Sequence, residues 1–132
     1  MSKAKFWILV SALSLILVLA ACKAEKDEVV TYTQITAKEA KTIMDSGVEC
    51  VIIDSRTESE FAEGHIEGAI LIPEYEIAQR AEKELPDKDA LILVYCRSGR
   101  RSKIASEELV KLGYTNVKEF GGIIDWPYEI VK

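Results

Sequence analysis

Metal-ligating side chains are scarce. The chain has one histidine, His65, and three cysteines, Cys22, Cys50 and Cys96. One imidazole and widely separated thiols do not assemble a zinc site, so no metal is expected, and nothing in the sequence implies an organic cofactor. Positive charge is also short, with 17 basic residues against 22 acidic ones. That balance argues against nucleic-acid binding and against a polybasic grip on anionic lipid. There is no internal repeat, no low-complexity segment, and no long apolar run except at the amino terminus.

That one run has the layout of a secretory signal peptide. Lys3 and Lys5 precede an apolar stretch from Phe6 to Ala20, broken by Ser11 and Ser14, and Leu19-Ala20-Ala21-Cys22 follows. The stretch is short for a bilayer span, which needs about 20 apolar residues. Its end resembles a bacterial lipobox, which implies cleavage before Cys22 and a lipid on that cysteine. Residues 1–21 are therefore assigned to the signal peptide, 22–31 to a lipid-anchored tether and 32–132 to the folded domain. The expected product is an exported bacterial lipoprotein held at a membrane, on its periplasmic or extracellular face. Loss of residues 1–21 removes two basic residues and no acidic ones, taking the formal charge from −5 to −7.

The remaining length, on the order of 110 residues, suits one domain with a modest core. Strand and helix patterns alternate along it. Short strands are expected at 32–35, 48–54, 70–72, 90–95 and 117–120. Helices are expected after the capping boxes Thr36-x-x-Glu39 and Thr57-x-x-Glu60, over 74–85, and over 102–112, with a terminal helical turn around 123–128. This order implies an α/β three-layer domain, a central parallel sheet with helices on both faces. In such sheets the ligand site lies beyond the carboxyl ends of the strands.

At one strand end sits the most reactive-looking segment. The apolar run Ala90 to Tyr95 stops at Cys96, and Arg97-Ser98-Gly99-Arg100-Arg101-Ser102 leads into a helix. A turn of this kind aims backbone N–H groups and the positive helix end at one point. Helix termini and neighbouring cations favour a thiolate, so Cys96 is a candidate nucleophile in an anion-binding cradle. Gly99 supplies the conformational freedom that a tight loop needs. The Arg spot on an otherwise acidic protein should attract a small anion. Cys50, in Val48 to Ile53, is expected to pack as a small hydrophobe; a Cys50–Cys96 disulfide would silence the nucleophile.

The same loop resembles the active-site loop of the rhodanese family, the single-domain sulfurtransferases. So do Asp54-Ser55-Arg56, Glu60-Phe61, Gly64-His65-Ile66-Glu67-Gly68-Ala69-Ile70 and Pro73. Gly113-Tyr114-Thr115-Asn116-Val117, Gly121-Gly122-Ile123 and Trp126 complete the pattern in the family's order. The resemblance implies a three-layer fold and a Cys96 persulfide that carries sulfane sulfur from a small anionic donor, such as thiosulfate, to a thiol or cyanide acceptor. It implies that the amides from Arg97 to Ser102 cradle the persulfide. Arg97 and Arg100 either bind the donor's anionic end or are solvated surface charges. Arg101 is expected to face inward, paired with a carboxylate, and Ser102 to cap the first turn and hydrogen-bond to the loop. Asp54 and Arg56 are expected to form an ion-pair prop, and His65 to cap backbone groups in a structural turn rather than join a Cys–His dyad. Trp126 is expected in the core or at its rim.

Spacing separates related chemistries. Cys96 to Arg101 is Cys-x4-Arg, whereas cysteine-dependent phosphatases use Cys-x5-Arg to ring a phosphate; here that position is Ser102. A phosphatase or oxyanion reductase is therefore disfavoured. The alternative to turnover is a persulfide carrier or binding module serving a protein partner. An exported thiol would also call for a reducing partner protein. The pattern departs from the family at its end: no glycine turn follows Trp126, so the end of the fold is expected to be abbreviated, together with anything that segment does for acceptor access.

Overall fold

The structure is a computed structural model that describes residues 31–132. The signal peptide, Cys22 and nearly all of the tether lie outside the described residues. The elements are β1 (Thr33–Gln34), α1 (Ala37–Asp45), β2 (Val51–Asp54), α2 (Glu58–Glu63) and β3 (Ile70–Leu71). A 3₁₀ turn (Glu74–Glu76) then runs into α3 (Ile77–Glu84), followed by β4 (Ile92–Cys96), α4 (Arg100–Lys111) and β5 (Val117–Gly122). A second 3₁₀ turn, Ile123–Asp125, closes the series. The five strands form one sheet in the order β1-β5-β4-β2-β3, and every pairing is parallel.

Period-two alternation sorts the strands' side chains onto two faces. Ile53, Ile92, Val94 and Val117 face α3 and α4, where they meet Ile77, Ala81, Ala105 and Leu109. Ile52, Leu93, Tyr95 and Phe120 face the other way, against Ala40 of α1, Ile66 and Trp126. Burial on both faces explains why β4 reads as a continuous apolar run. Trp126 is in the core, as expected.

Both capping boxes form. The Thr36 hydroxyl accepts from the Glu39 N–H and the Glu39 carboxylate accepts from the Thr36 N–H; Thr57 and Glu60 do the same at α2. Other boundaries move. β2 begins at Val51, because Val48 is exposed and the ladder opens with the Val51 N–H donating to Leu91 O at 2.8 Å. The expected helix over 74–85 splits into the 3₁₀ turn and α3. β5 runs on to Gly122 through a bulge: Val94 pairs with Glu119, but Cys96 pairs with Gly122, so β5 carries one extra residue. Cys50 falls outside β2. It packs against the Trp126 cluster but stays half-buried, lining a cavity of about 590 Å³ with Lys41, Ile52 and Tyr128. Burial pushes its thiol above the ordinary value. Cys50 and Cys96 are both free, so the disulfide does not form.

Candidate active site

Cys96 is the last residue of β4, the central strand of the sheet, and its side chain lies on the α4 face with Ile92 and Val94. The chain then turns through Arg97 and Ser98 to Gly99, whose φ of 107° is left-handed and suits glycine. From there α4 begins. The Gly99 N–H donates to Cys96 Sγ at 3.0 Å. Unlike α1 and α2, α4 has no side-chain cap, so its first-turn N–H groups are left to solvent or to an anion. Cys96 is 1 % exposed, while Arg97, Ser98 and Arg100 are exposed around it.

Two glycines on β5 set the height of the loop. Gly121, at φ 88°, forms the bulge. Gly122 lies so close beneath the loop that a Cβ there would overlap the Arg97 carbonyl group and the Ser98 nitrogen. The loop is tied down further on, where the Ile124 N–H donates to Arg97 O at 3.2 Å.

Arg101 turns inward and forms a two-pronged pair with Glu60 of α2, at 2.7 and 2.9 Å. That pair, ahead of the Thr57 hydrogen bonds, holds the Glu60 carboxyl down at about 2. Ser102 departs from expectation. The helix begins two residues earlier, with Gly99 at the N-cap position, so Ser102 caps no backbone N–H. Its hydroxyl lies instead 3.3 Å from Cys96 Sγ, 3.0 Å from Gly99 O and 2.6 Å from Glu119 Oε1. The loop-bonding role holds; the capping role does not.

Asp54 and Arg56 form the expected prop. Arg56 Nε and Nη2 donate to the Asp54 carboxylate at 3.0 and 2.7 Å, and Nη2 also donates to Gly64 O at 2.7 Å. Tyr95 completes the network: its hydroxyl donates to Asp54 Oδ2 at 2.7 Å and accepts from the Ile66 N–H at 3.1 Å. Burial, then the Asp54 charge, push the Tyr95 phenol well above its ordinary range. His65 makes its contacts with Phe61 and Val131. Its Nδ1 donates to Phe61 O at 2.9 Å, its ring stacks on Phe61 at 3.7 Å, and its backbone pairs with Val131. No hydrogen bond joins it to Cys96 among the described residues.

Two site residues escaped the sequence reading. Tyr95 looked like one more apolar strand residue. Glu119 is a carboxylate only 2 % exposed, and its signal was a glutamate two residues after the inward-facing Val117, at an inward position of a strand buried on both faces.

The described residues thus form an α/β domain in which a buried thiol ends the central parallel strand and faces a helix terminus without a side-chain cap. Comparison with known proteins identifies the family: the rhodanese-like domain model matches residues 36–127, and the chain belongs to that family. It is 41 % identical over 80 residues to the thiosulfate sulfurtransferase PspE of Escherichia coli, covering 61 % of this chain and 77 % of that protein. It is 34 % identical over 94 residues to the putative sulfur carrier protein YrkF of Bacillus subtilis, covering 70 % of this chain and half of that protein. Among solved structures, an E. coli rhodanese with anions superposes with a TM-score of 0.60 at 38 % identity, over 64 % of this chain and 99 % of that one.

Proposed function

We propose that the protein is a sulfurtransferase in which Cys96 carries sulfane sulfur from thiosulfate or a related small anionic donor to a thiol or cyanide. The observation that supports this reading best is the Cys96 cradle: Sγ held by the Gly99 N–H at 3.0 Å, beside an uncapped helix terminus and two exposed arginines. The Cys96 thiolate attacks the outer sulfur of thiosulfate. A bond forms between the two sulfurs, the donor's S–S bond breaks, and sulfite leaves with the electron pair. The persulfide's charge then rests on its outer sulfur, within reach of the free amides of α4. An acceptor thiolate attacks that outer sulfur and expels the Cys96 thiolate; cyanide does the same and leaves as thiocyanate. Arg97 and Arg100 draw in the anionic donor, and Arg101, locked to Glu60, braces the loop.

The likeness to a putative sulfur carrier favours a second reading, in which Cys96 takes its sulfur from a protein and hands it on without turning over free thiosulfate. Under either reading we place the chain at a membrane through a lipid on Cys22, with a partner thiol protein keeping Cys96 reduced. The test is intact mass of the reduced protein after thiosulfate treatment, beside Cys96→Ser. Gain of one sulfur atom on the unsubstituted protein alone, removed by cyanide, is the expected result. A folded protein with a free thiol and no gain would sink the thiosulfate reading and leave the protein donor.

A further inference from the structure

Glu119 does not touch Cys96, yet its carboxylate is buried behind the Ser102 hydroxyl that does. Burying a carboxylate is costly unless it is well hydrogen-bonded. Its Oε1 accepts from the Ser102 hydroxyl at 2.6 Å and from the Gly121 N–H at 2.8 Å. Two donors converging on one oxygen is the arrangement a carboxylate anion takes. Ser102 is fully buried and has one hydroxyl proton to give. Its possible acceptors are Glu119 Oε1 at 2.6 Å, Gly99 O at 3.0 Å and Gly121 O at 3.4 Å. The shortest of these contacts, to the carboxylate, takes the proton. The serine oxygen then turns a lone pair toward Cys96 Sγ, 3.3 Å away, where it accepts from the S–H.

That orientation suits a protonated thiol and opposes an anionic one, since a thiolate would meet a lone pair with a carboxylate behind it. We propose that Glu119, acting through Ser102, is a positioning residue that disfavours negative charge on Cys96 Sγ. The Gly99 N–H, 3.0 Å from Sγ, favours the anion and is the contact that Glu119 works against; the neighbouring charges do not cancel the Glu119 effect. Arg101 on α4 is matched by Glu60 of α2, and Arg56 is matched by Asp54 at the end of β2. Arg97, Arg100 and Lys103 are exposed, and Lys118 alternates away from the Glu119 face. The brake acts on one sulfur position. In a persulfide Sγ is neutral and the charge sits on the outer atom, one S–S bond of about 2 Å farther away. Glu119 therefore slows every reaction of the empty thiol, attack on a sulfur donor included, while leaving the loaded form undisturbed. This last step rests on the sulfurtransferase reading; the effect on the empty thiol does not.

The test is the rate of Cys96 alkylation by iodoacetamide across a pH series, read on the Cys96 peptide by mass spectrometry so that the other thiols do not interfere. Glu119→Gln removes the charge and weakens the acceptor that holds the Ser102 proton, so the proton turns more readily to sulfur, and alkylation should rise by about tenfold at neutral pH, the effect of redirecting one hydrogen bond at a charged group. The midpoint of the pH profile should move down. The same substitution made on Ser102→Ala should give a much smaller increase, because the link is gone. Ser102→Ala alone, which removes only a hydroxyl and covers the case in which Glu119→Gln does not fold, should also speed alkylation. An unchanged or slower rate in Glu119→Gln would overturn the proposal. So would a Ser102→Ala protein that reacts more slowly, since the hydroxyl would then be a donor to the thiolate. An equal gain from Glu119→Gln in both backgrounds would show that Ser102 carries none of the effect, and would also overturn it. None of these readouts uses a sulfur donor, so failure of the thiosulfate reading leaves them intact.

Discussion

Replacing Arg101 by alanine removes the clamp between the active loop's helix and α2, and its cost depends on pH in a calculable way. Glu60 has an ordinary value of 4.5 and is held at about 2 in the folded protein, mainly by the Arg101 N–H groups. A carboxyl held down on folding adds stability that is fully present above the unfolded value and is lost as pH falls from there through the folded one. The window is therefore about pH 4.5 to 2. At full value that difference is worth about 3 kcal/mol. Thr57 supplies part of it through the capping box, and the two side chains are 22 % and 24 % exposed, so solvent screens the pair. Arg101→Ala should then cost about 1–2 kcal/mol at pH 7, or a drop in Tm of roughly 4–16 °C for a domain of this size. Urea unfolding of both proteins at pH 7, 5 and 3 reads the effect. The gap between them should be constant from pH 7 to 5 and narrow at pH 3, where Glu60 in the variant is already protonated in both states. Equal stability at pH 7, or a gap that does not narrow on acidification, would refute the assignment of the Glu60 shift to Arg101.

Three further substitutions probe other parts of the frame. Gly122→Ala puts a methyl into the Arg97 carbonyl; it should cost about 1–3 kcal/mol or more as an overpacking change and abolish sulfur gain by displacing the loop, read by thermal melting and intact mass. Asp54→Asn leaves the Arg56 guanidinium, 5 % exposed, without its counter-charge; about 3–5 kcal/mol of stability should be lost in urea unfolding. Tyr95→Phe strands the buried Ile66 N–H and should cost about 1–3 kcal/mol in the same assay. At the other end of the chain, fatty-acid labelling in a bacterial host should mark the unsubstituted protein and not Cys22→Ser; labelling that survives the substitution would refute lipidation at Cys22.

What the sequence made legible was local. The two Thr-x-x-Glu boxes lie within four residues and need only the helix they start. The β4 run and the loop after it place Cys96 without any distant information. What was left open or misplaced depended on tertiary neighbours. Arg101 needed a carboxylate, but the one it finds is Glu60, 41 positions away, and no spacing rule selects it from the acidic residues available. Ser102 was read as a cap because it looked like the first helical residue; the helix starts at Arg100 instead, two residues sooner, after Gly99 turns the chain with its left-handed φ. Glu119 was passed over because acidic residues are normally surface groups, and only the pairing of β5 with β4 shows that its side of the strand is closed. Cys50 was placed inside a strand because Val48 and Cys50 continue the apolar pattern, yet the ladder does not reach them.

Under the sulfurtransferase reading, the depth of Cys96 bears on how an acceptor distinguishes loaded from empty protein. With the residue 1 % exposed, the bare sulfur lies below the rim formed by Arg97, Ser98 and Arg100, and a blunt thiol on another protein meets the rim first. One added sulfur would lengthen the side chain by about 2 Å. With that sulfur directed outward, reach alone would act as a gauge: a bulky acceptor would engage the loaded protein and pass over the unloaded one, with no movement of the backbone required.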